Sequence, residues 1–160
     1  MSTDRRYRGG LLQRTVGILL ALLAAAAATL AIAAEPVPPA LLLAERYRGD
    51  IDISRYWVSE KLDGVRASWD GKALQFRSGN PVPAPKWFLD ALPKQPLDGE
   101  LWLGRGSFDQ LSAIVRRQSP VDAEWRRVRY MIFELPNAPG SFTDRVEQIK
   151  TATAAANLPW

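Results

Sequence analysis

The sequence has 160 residues, 47% apolar, 24% charged and 9% aromatic, which is the composition of one folded domain or part of one. It holds neither cysteine nor histidine, so disulfide frameworks, Cys/His zinc sites and Ser-His-Asp or Cys-His catalysis are excluded, and any chemistry must run on lysine, arginine and carboxylates. The formal charge of +4 is concentrated at the start, where Arg5, Arg6, Arg8 and Arg14 face only Asp4; beyond residue 34 there remain 17 basic and 16 acidic side chains, and bulk charge argues for no polyanionic partner.

Residues 1–34 read as a secretory signal peptide. A basic start precedes an uncharged run, VGILLALLAAAAATLAIAA, that ends in small residues before EPVPP. Ala31 and Ala33 match the A-x-A pattern, which favours cleavage after Ala33, with Ala34 as the alternative. The run is about long enough to cross a bilayer, so an uncleaved N-terminal anchor is the rival reading. Arg5-Arg6 hints at the twin-arginine route, but YRGGLL after it matches that pattern poorly, and the general secretory route is preferred. The expectation is a periplasmic or secreted protein with no stable membrane association after cleavage.

The mature part begins in a proline-rich junction and leads through LLLAERYRGDIDISR to a predicted strand at residues 56–59. Next, VRASWDGKALQFRSGN reads as a hairpin in which Val65, Ala67 and Trp69 alternate with Arg66 and Ser68. Asp70-Gly71 is taken as its two-residue turn, and residues 72–77 return with Leu74 and Phe76 on one face. Residues 85–92 suit a short helix and LDGELWLG a buried strand. Ser107 is placed as the cap of a helix with Phe108, Leu111, Ile114 and Val115 in one stripe. VRYMIFEL is an apolar strand, and residues 142–156 a helix with Val146, Ile149 and Ala152 inward. Helices interleaved with antiparallel hairpins make the class α+β.

The chemistry concentrates at SEKLDGVR. Covalent nucleotidyl transfer needs a partly deprotonated amine, cations for phosphates, and a carboxylate for ribose or metal. Lys61 stands at a predicted strand end, Asp63-Gly64 makes a turn, and Arg66 follows on the next strand, where a neighbouring cation would disfavour the charged ammonium. Alone, K-x-D-G reads equally well as a charged hairpin turn. Downstream, Arg116, Arg117, Arg126, Arg127 and Arg129 fall within fourteen residues, and a solvated face is as good a reading as phosphate contact.

KLDGVR is followed in order by FRSGN, LDGELW and RYMIFELP, each at a predicted strand. This series resembles the ATP-dependent DNA ligases, within the covalent nucleotidyltransferase superfamily. YWVSEKLDGVRASWDG with FRSGNP and LDGELW behind a signal peptide is similar to the small periplasmic ligases of Gram-negative bacteria. The resemblance runs from about Leu41 to Trp160 and implies the N-terminal part of an adenylation domain. By it, Lys61 takes AMP from ATP, Asp63 shapes the nucleophile's turn, and Arg66 and Arg77 contact the nucleotide. Glu100 holds the ribose and helps a Mg²⁺ site, and Phe133 stacks on adenine. Without the resemblance, Phe133 would be core packing and Glu100 a surface charge. The implied reaction is nick sealing in double-stranded DNA through a lysyl-AMP, by a monomer, with ATP and Mg²⁺ as cofactors.

Two positions depart from the family. Ser59 stands where many relatives have Glu two residues before the nucleophile, with Glu60 adjacent to Lys61, which shifts adenine recognition toward backbone groups. Phe133-Glu134 replaces the commoner Phe-Asp. No segment resembles the later Glu-Gly motif, the lysine pair or the OB-type barrel, so the expectation is a C-terminally truncated chain that lacks net ligation and exposes sheet edges. Two alternatives stay open: an exported, non-catalytic module binding nucleotide or nucleic acid through Arg77 and the 116–129 arginines, and an RNA-joining or capping enzyme. Export itself gives a test: N-terminal sequencing of secreted material is expected to start at Ala34 or Glu35, and a start at Met1 would remove the signal-peptide reading.

Overall fold

The computed structural model describes residues 35–154; the leader at 1–34 and the expected helix end at 155–156 lie outside them. The centre is a four-stranded antiparallel sheet in the order β2-β1-β3-β4. Its strands are β1 (Val65–Trp69), β2 (Leu74–Phe76), β3 (Leu97–Trp102) and β4 (Arg129–Glu134). Between and after them lie α1 (Lys86–Asp90), α2 (Phe108–Val115), α3 (Asp122–Trp125) and α4 (Phe142–Ala154). Mixed helices on an antiparallel sheet confirm the α+β class. Among the described residues, no helix is long and apolar enough to cross a membrane.

Strand alternation sorts the sheet into two unlike faces. Val65 opposes Leu101 and Leu101 opposes Tyr130; Trp69 opposes both Leu74 and Leu97. These residues share the face on which Phe88 of α1, Leu111, Ile114 and Val115 of α2, and Trp125 of α3 close the core. The Phe88 and Trp125 rings meet edge to face at 5.0 Å. Tyr130 fastens this face from within, its hydroxyl donating to the carbonyls of Ala67 (2.9 Å) and Leu97 (3.3 Å). The other face carries Arg66 opposite Glu100, Glu100 opposite Met131, and Ser68 opposite Asp98. A bulge at Asp98/Gly99 makes Phe133 the extra residue of β4 and leaves it 40% exposed.

Three sequence expectations change. Residues 56–59 form no strand: Tyr56, Trp57 and Val58 are exposed. β1 starts only at Val65, with β2 and β3 on its two sides, and the segment before it joins the sheet at neither outer edge. A single 3₁₀ turn at Ile53–Arg55, capped by Asp52, is its one regular piece. The hairpin turn has four residues, because Trp69 pairs with Leu74. The Asp70 carboxylate accepts the amides of Lys72 (2.8 Å) and Ala73 (2.7 Å), a side-chain substitute for a tight backbone turn. Ser107 occupies the N-cap position of α2 without a capping bond, and Phe108 leaves the buried stripe that Leu111, Ile114 and Val115 form.

The helix at residues 86–90 and the strands at 97–102 and 129–134 fall where the pattern places them, within a residue or two. In α4, Val146, Ile149 and Ala152 are only partly buried. The helix is fixed to β4 chiefly by Arg145, whose Nε and Nη2 donate to Glu134 at 2.6 and 2.8 Å. Arg145 holds the Glu134 carboxyl below its ordinary value despite burial.

Gly99 lies on β3 opposite Ile132, where the β4 backbone and the Tyr130 ring leave no room for a side chain. A Cβ there would lie 2.6 Å from the Met131 carbonyl and 2.8 Å from the Tyr130 ring. Gly99→Ala is therefore expected to cost about 1–3 kcal/mol, as overpacking does. Urea unfolding followed by tryptophan fluorescence measures it, and an unchanged midpoint would show that the strands can separate freely.

Candidate active site

The open face of the sheet gathers Arg66, Asp98, Glu100 and Phe133. Asp98 is 1% exposed, and a carboxylate so far from water has to be paired. Arg66 supplies the pair as a fork, Nε donating to Oδ1 at 3.1 Å and Nη2 to Oδ2 at 2.7 Å. The same Nη2 donates to the Leu42 carbonyl at 2.7 Å, tying the extended segment before the sheet to this face. The guanidinium lies 5.4 Å from the centre of the Phe133 ring, a cation–π contact. Asp98 holds the guanidinium even more firmly protonated than usual.

Glu100 lies beside this pair. Its Oε1 accepts the Gly64 amide at 3.2 Å. That approach needs a glycine: a Cβ on residue 64 would strike the Leu101 carbonyl and come within 2.7 Å of the Glu100 side chain. Burial pushes the Glu100 carboxyl above its ordinary value; the Gly64 amide and the charges of Lys61 and Arg66 pull it back. Lys61 is thus close enough to be felt by Glu100, four residues before the start of β1 and exposed. Asp63 is exposed in the same connection.

The structure therefore brings together Lys61, Arg66, Glu100 and Phe133 and revises one role. Arg66 is not a free cation beside Lys61, since its charge is matched by Asp98. Arg77 follows β2 at the sheet's edge and is exposed; among the described residues no hydrogen bond joins it to the Arg66–Glu100 group.

The five arginines do not make one cluster. Arg116 lies 5.1 Å from the Phe76 ring centre and Arg126 5.4 Å from that of Trp87, both on the helix-covered side. Arg117 pairs with Glu124 at 3.1 Å, and Arg127 donates to Gln110 at 3.4 Å. Arg129 opposes Trp102 on β3 and belongs to the open face. Among the described residues no group of three or more acidic side chains is placed to hold a metal ion.

Sequence reasoning missed Asp98, although the signal was present: it stands two residues before Glu100 on one strand, which puts both on the same face. It also missed the pairing of Glu60 with Arg105, 45 residues apart, for which no local pattern exists.

No family model matches the sequence. The chain is 37% identical over 95 residues to the DNA ligase of Haemophilus influenzae, an alignment that covers 59% of this chain and 35% of that protein. Its fold is similar to a solved structure described as "DNA binding with a minimal scaffold: Structure-function analysis of Lig E DNA ligases". There the TM-score is 0.69 and the identity 42%, over 77% of this chain and 49% of that one. The chain thus spans about a third of the curated relative and half of the solved one. Both likenesses support a DNA ligase family, and the antiparallel four-stranded sheet with its helices is an architecture shared with part of the solved ligase.

The raised Glu100 value has a measurable sign. An acid whose folded pKa lies above its unfolded one costs stability as pH rises through that interval, and the cost persists above it. Glu100→Gln keeps an oxygen for the Gly64 amide and removes the buried charge. Its stability relative to the unsubstituted protein is expected to be more favourable at pH 7 than at pH 4; urea titrations at both values measure this, and the opposite order would mean that Glu100 is stabilised as a carboxylate.

Proposed function

We propose that this chain carries the nucleotide-accepting half of an ATP-dependent DNA ligase, with Lys61 as the residue that becomes adenylated. The observation that carries the reading is the Gly64–Glu100 bond, the Arg66–Asp98 fork and Phe133 on one open face, with Lys61 in the adjoining connection near enough for Glu100 to feel its charge, built from motifs scattered over about seventy residues of sequence. The likeness to two DNA ligases supports the choice of ligation over other nucleotidyl transfers.

In this reading Lys61 loses a proton and its Nζ attacks the α-phosphorus of ATP. A phosphorus–nitrogen bond forms, the bond to the bridging oxygen breaks, and pyrophosphate leaves. Phe133, exposed on the site face, offers its ring to adenine, and Glu100 accepts from the ribose. Arg66, oriented by Asp98, frames the pocket beside Phe133, while Asp63 shapes the turn after Lys61 and Arg77 serves the nucleotide from the edge. The AMP then passes to a 5′-phosphate at a nick, and the 3′-hydroxyl displaces it. Holding AMP on lysine splits one difficult displacement into separate ones.

Magnesium fits here only as an ion shared with substrate. Glu100 Oε2 accepts no hydrogen bond among the described residues and could supply one carboxylate, with phosphates and water completing the shell, as Mg²⁺ prefers. When bound, the ion would offset phosphate charge as a Lewis acid. Of the five arginines, Arg116 and Arg126 are the ones left for duplex phosphates, since their guanidiniums lie over aromatic rings and have no carboxylate partner among the described residues, whereas Arg117 is paired with Glu124. Export through the leader would place this chemistry outside the cytoplasm.

Incubation of the chain with ATP labelled at the α-phosphate and Mg²⁺, followed by a denaturing gel, tests the assignment. Label is expected on the unsubstituted protein and absent from Lys61→Ala. It should also be absent from Lys61→Arg, because a guanidinium stays protonated. Label surviving in either variant would place the nucleophile elsewhere, and an unlabelled parent chain would defeat the adenylation reading for this chain.

A further inference from the structure

Lys61 lies in a connection without regular structure, so its position has to come from contacts on either side. On the C-terminal side the Gly64 amide is bound to Glu100, and β1 begins one residue later. On the N-terminal side the adjacent residue, Glu60, is held by Arg105 in a two-pronged ion pair. Nε donates to Oε1 at 2.7 Å and Nη2 to Oε2 at 2.6 Å. Arg105 sits between β3 and α2, flanked by Gly104 and Gly106, with φ of +136° and +66°. Those left-handed values suit glycine and shape a loop that carries Arg105 out to meet Glu60. The Arg105 side chain is 80% exposed, and a pair so open to water contributes little to global stability. Its geometry is nonetheless the planar fork that fixes direction as well as distance.

We propose that the Glu60–Arg105 fork is a positioning clamp for Lys61, fixing the backbone just before the nucleophile as the Gly64–Glu100 bond fixes it just after. The clamp rests on the reading of Lys61 as the adenylated residue. Glu60 and Arg105 are positioning residues: neither needs to touch nucleotide. Without the fork, the segment from Tyr56 to Leu62 keeps one distant hydrogen bond among the described residues, the Trp57 indole donating to Thr143 at 3.1 Å, and Lys61 is free to swing about Gly64. A nucleophile displaced by about an ångström can lose ~10²-fold in rate.

The test uses the full chain with Glu60→Gln, Arg105→Gln and the exchanged pair Glu60→Arg with Arg105→Glu. The ¹⁵N heteronuclear Overhauser effect of the Lys61 amide reports local order without reference to catalysis, and the rate and KM for ATP of label uptake report the consequence. Each single variant is expected to lower the Overhauser effect at Lys61 and to slow labelling by about tenfold to a hundredfold at unchanged KM, with the melting temperature unmoved. The exchanged pair should restore both. Single variants whose Lys61 amide stays as ordered as in the parent, or an exchange that restores nothing, would overturn the clamp. If the parent chain takes no label, the ligase reading fails, and amide order alone decides the clamp.

Discussion

Asp98 lies in the second position of β3 with 1% of its surface in water, and that burial constrains everything on the open face. A carboxylate there is tolerated only with a charged, well-aligned partner, because the cost of taking it from water exceeds what an imperfect contact returns. Arg66 meets that need from the neighbouring strand, so the register of β1 against β3 is fixed by charge on one face and by Val65, Ala67 and Trp69 on the other. A slip of one residue would send Arg66 into the core and Ala67 into the site.

The two faces of β3 carry different duties at alternate positions. Leu97, Gly99 and Leu101 feed the core, and the gap at Gly99 admits the Tyr130 ring. Asp98 and Glu100 feed the site. Rigidity on one side is thereby passed to the other, since side chains oriented by a packed strand need no loop to hold them. The bulge opposite Asp98 completes the arrangement by leaving Phe133 on the surface beside Arg66, where an all-regular ladder would have given it a pairing position.

The contrast is Lys61, the one central residue that no regular element carries. Glu100 of β3 feels its charge and Arg105 of the loop after β3 holds the adjacent Glu60, so the proposed reactive group is also the least supported by backbone. Contacts at Glu60 and Gly64 anchor the connection on either side of Lys61.

Periodicity and turn residues along the sequence determined the α+β class, the approximate positions of all four strands and the central helices, because each is encoded within a few neighbours: alternation for strands and a 3.6-residue stripe for α2. Lys61, Arg66, Glu100 and Phe133 are singled out by short motifs and the family resemblance they carry. Only the tertiary structure decided that residues 56–59 are not a strand, since a strand needs a partner brought alongside it and not local propensity alone. Only it matched Arg66 with Asp98, Glu60 with Arg105 and Glu134 with Arg145, and dispersed the arginines of 116–129 over two sides of the sheet. Such pairings join residues as much as 45 positions apart, and a charge's partner is set by which strands lie side by side. No stretch of sequence taken by itself contains that information.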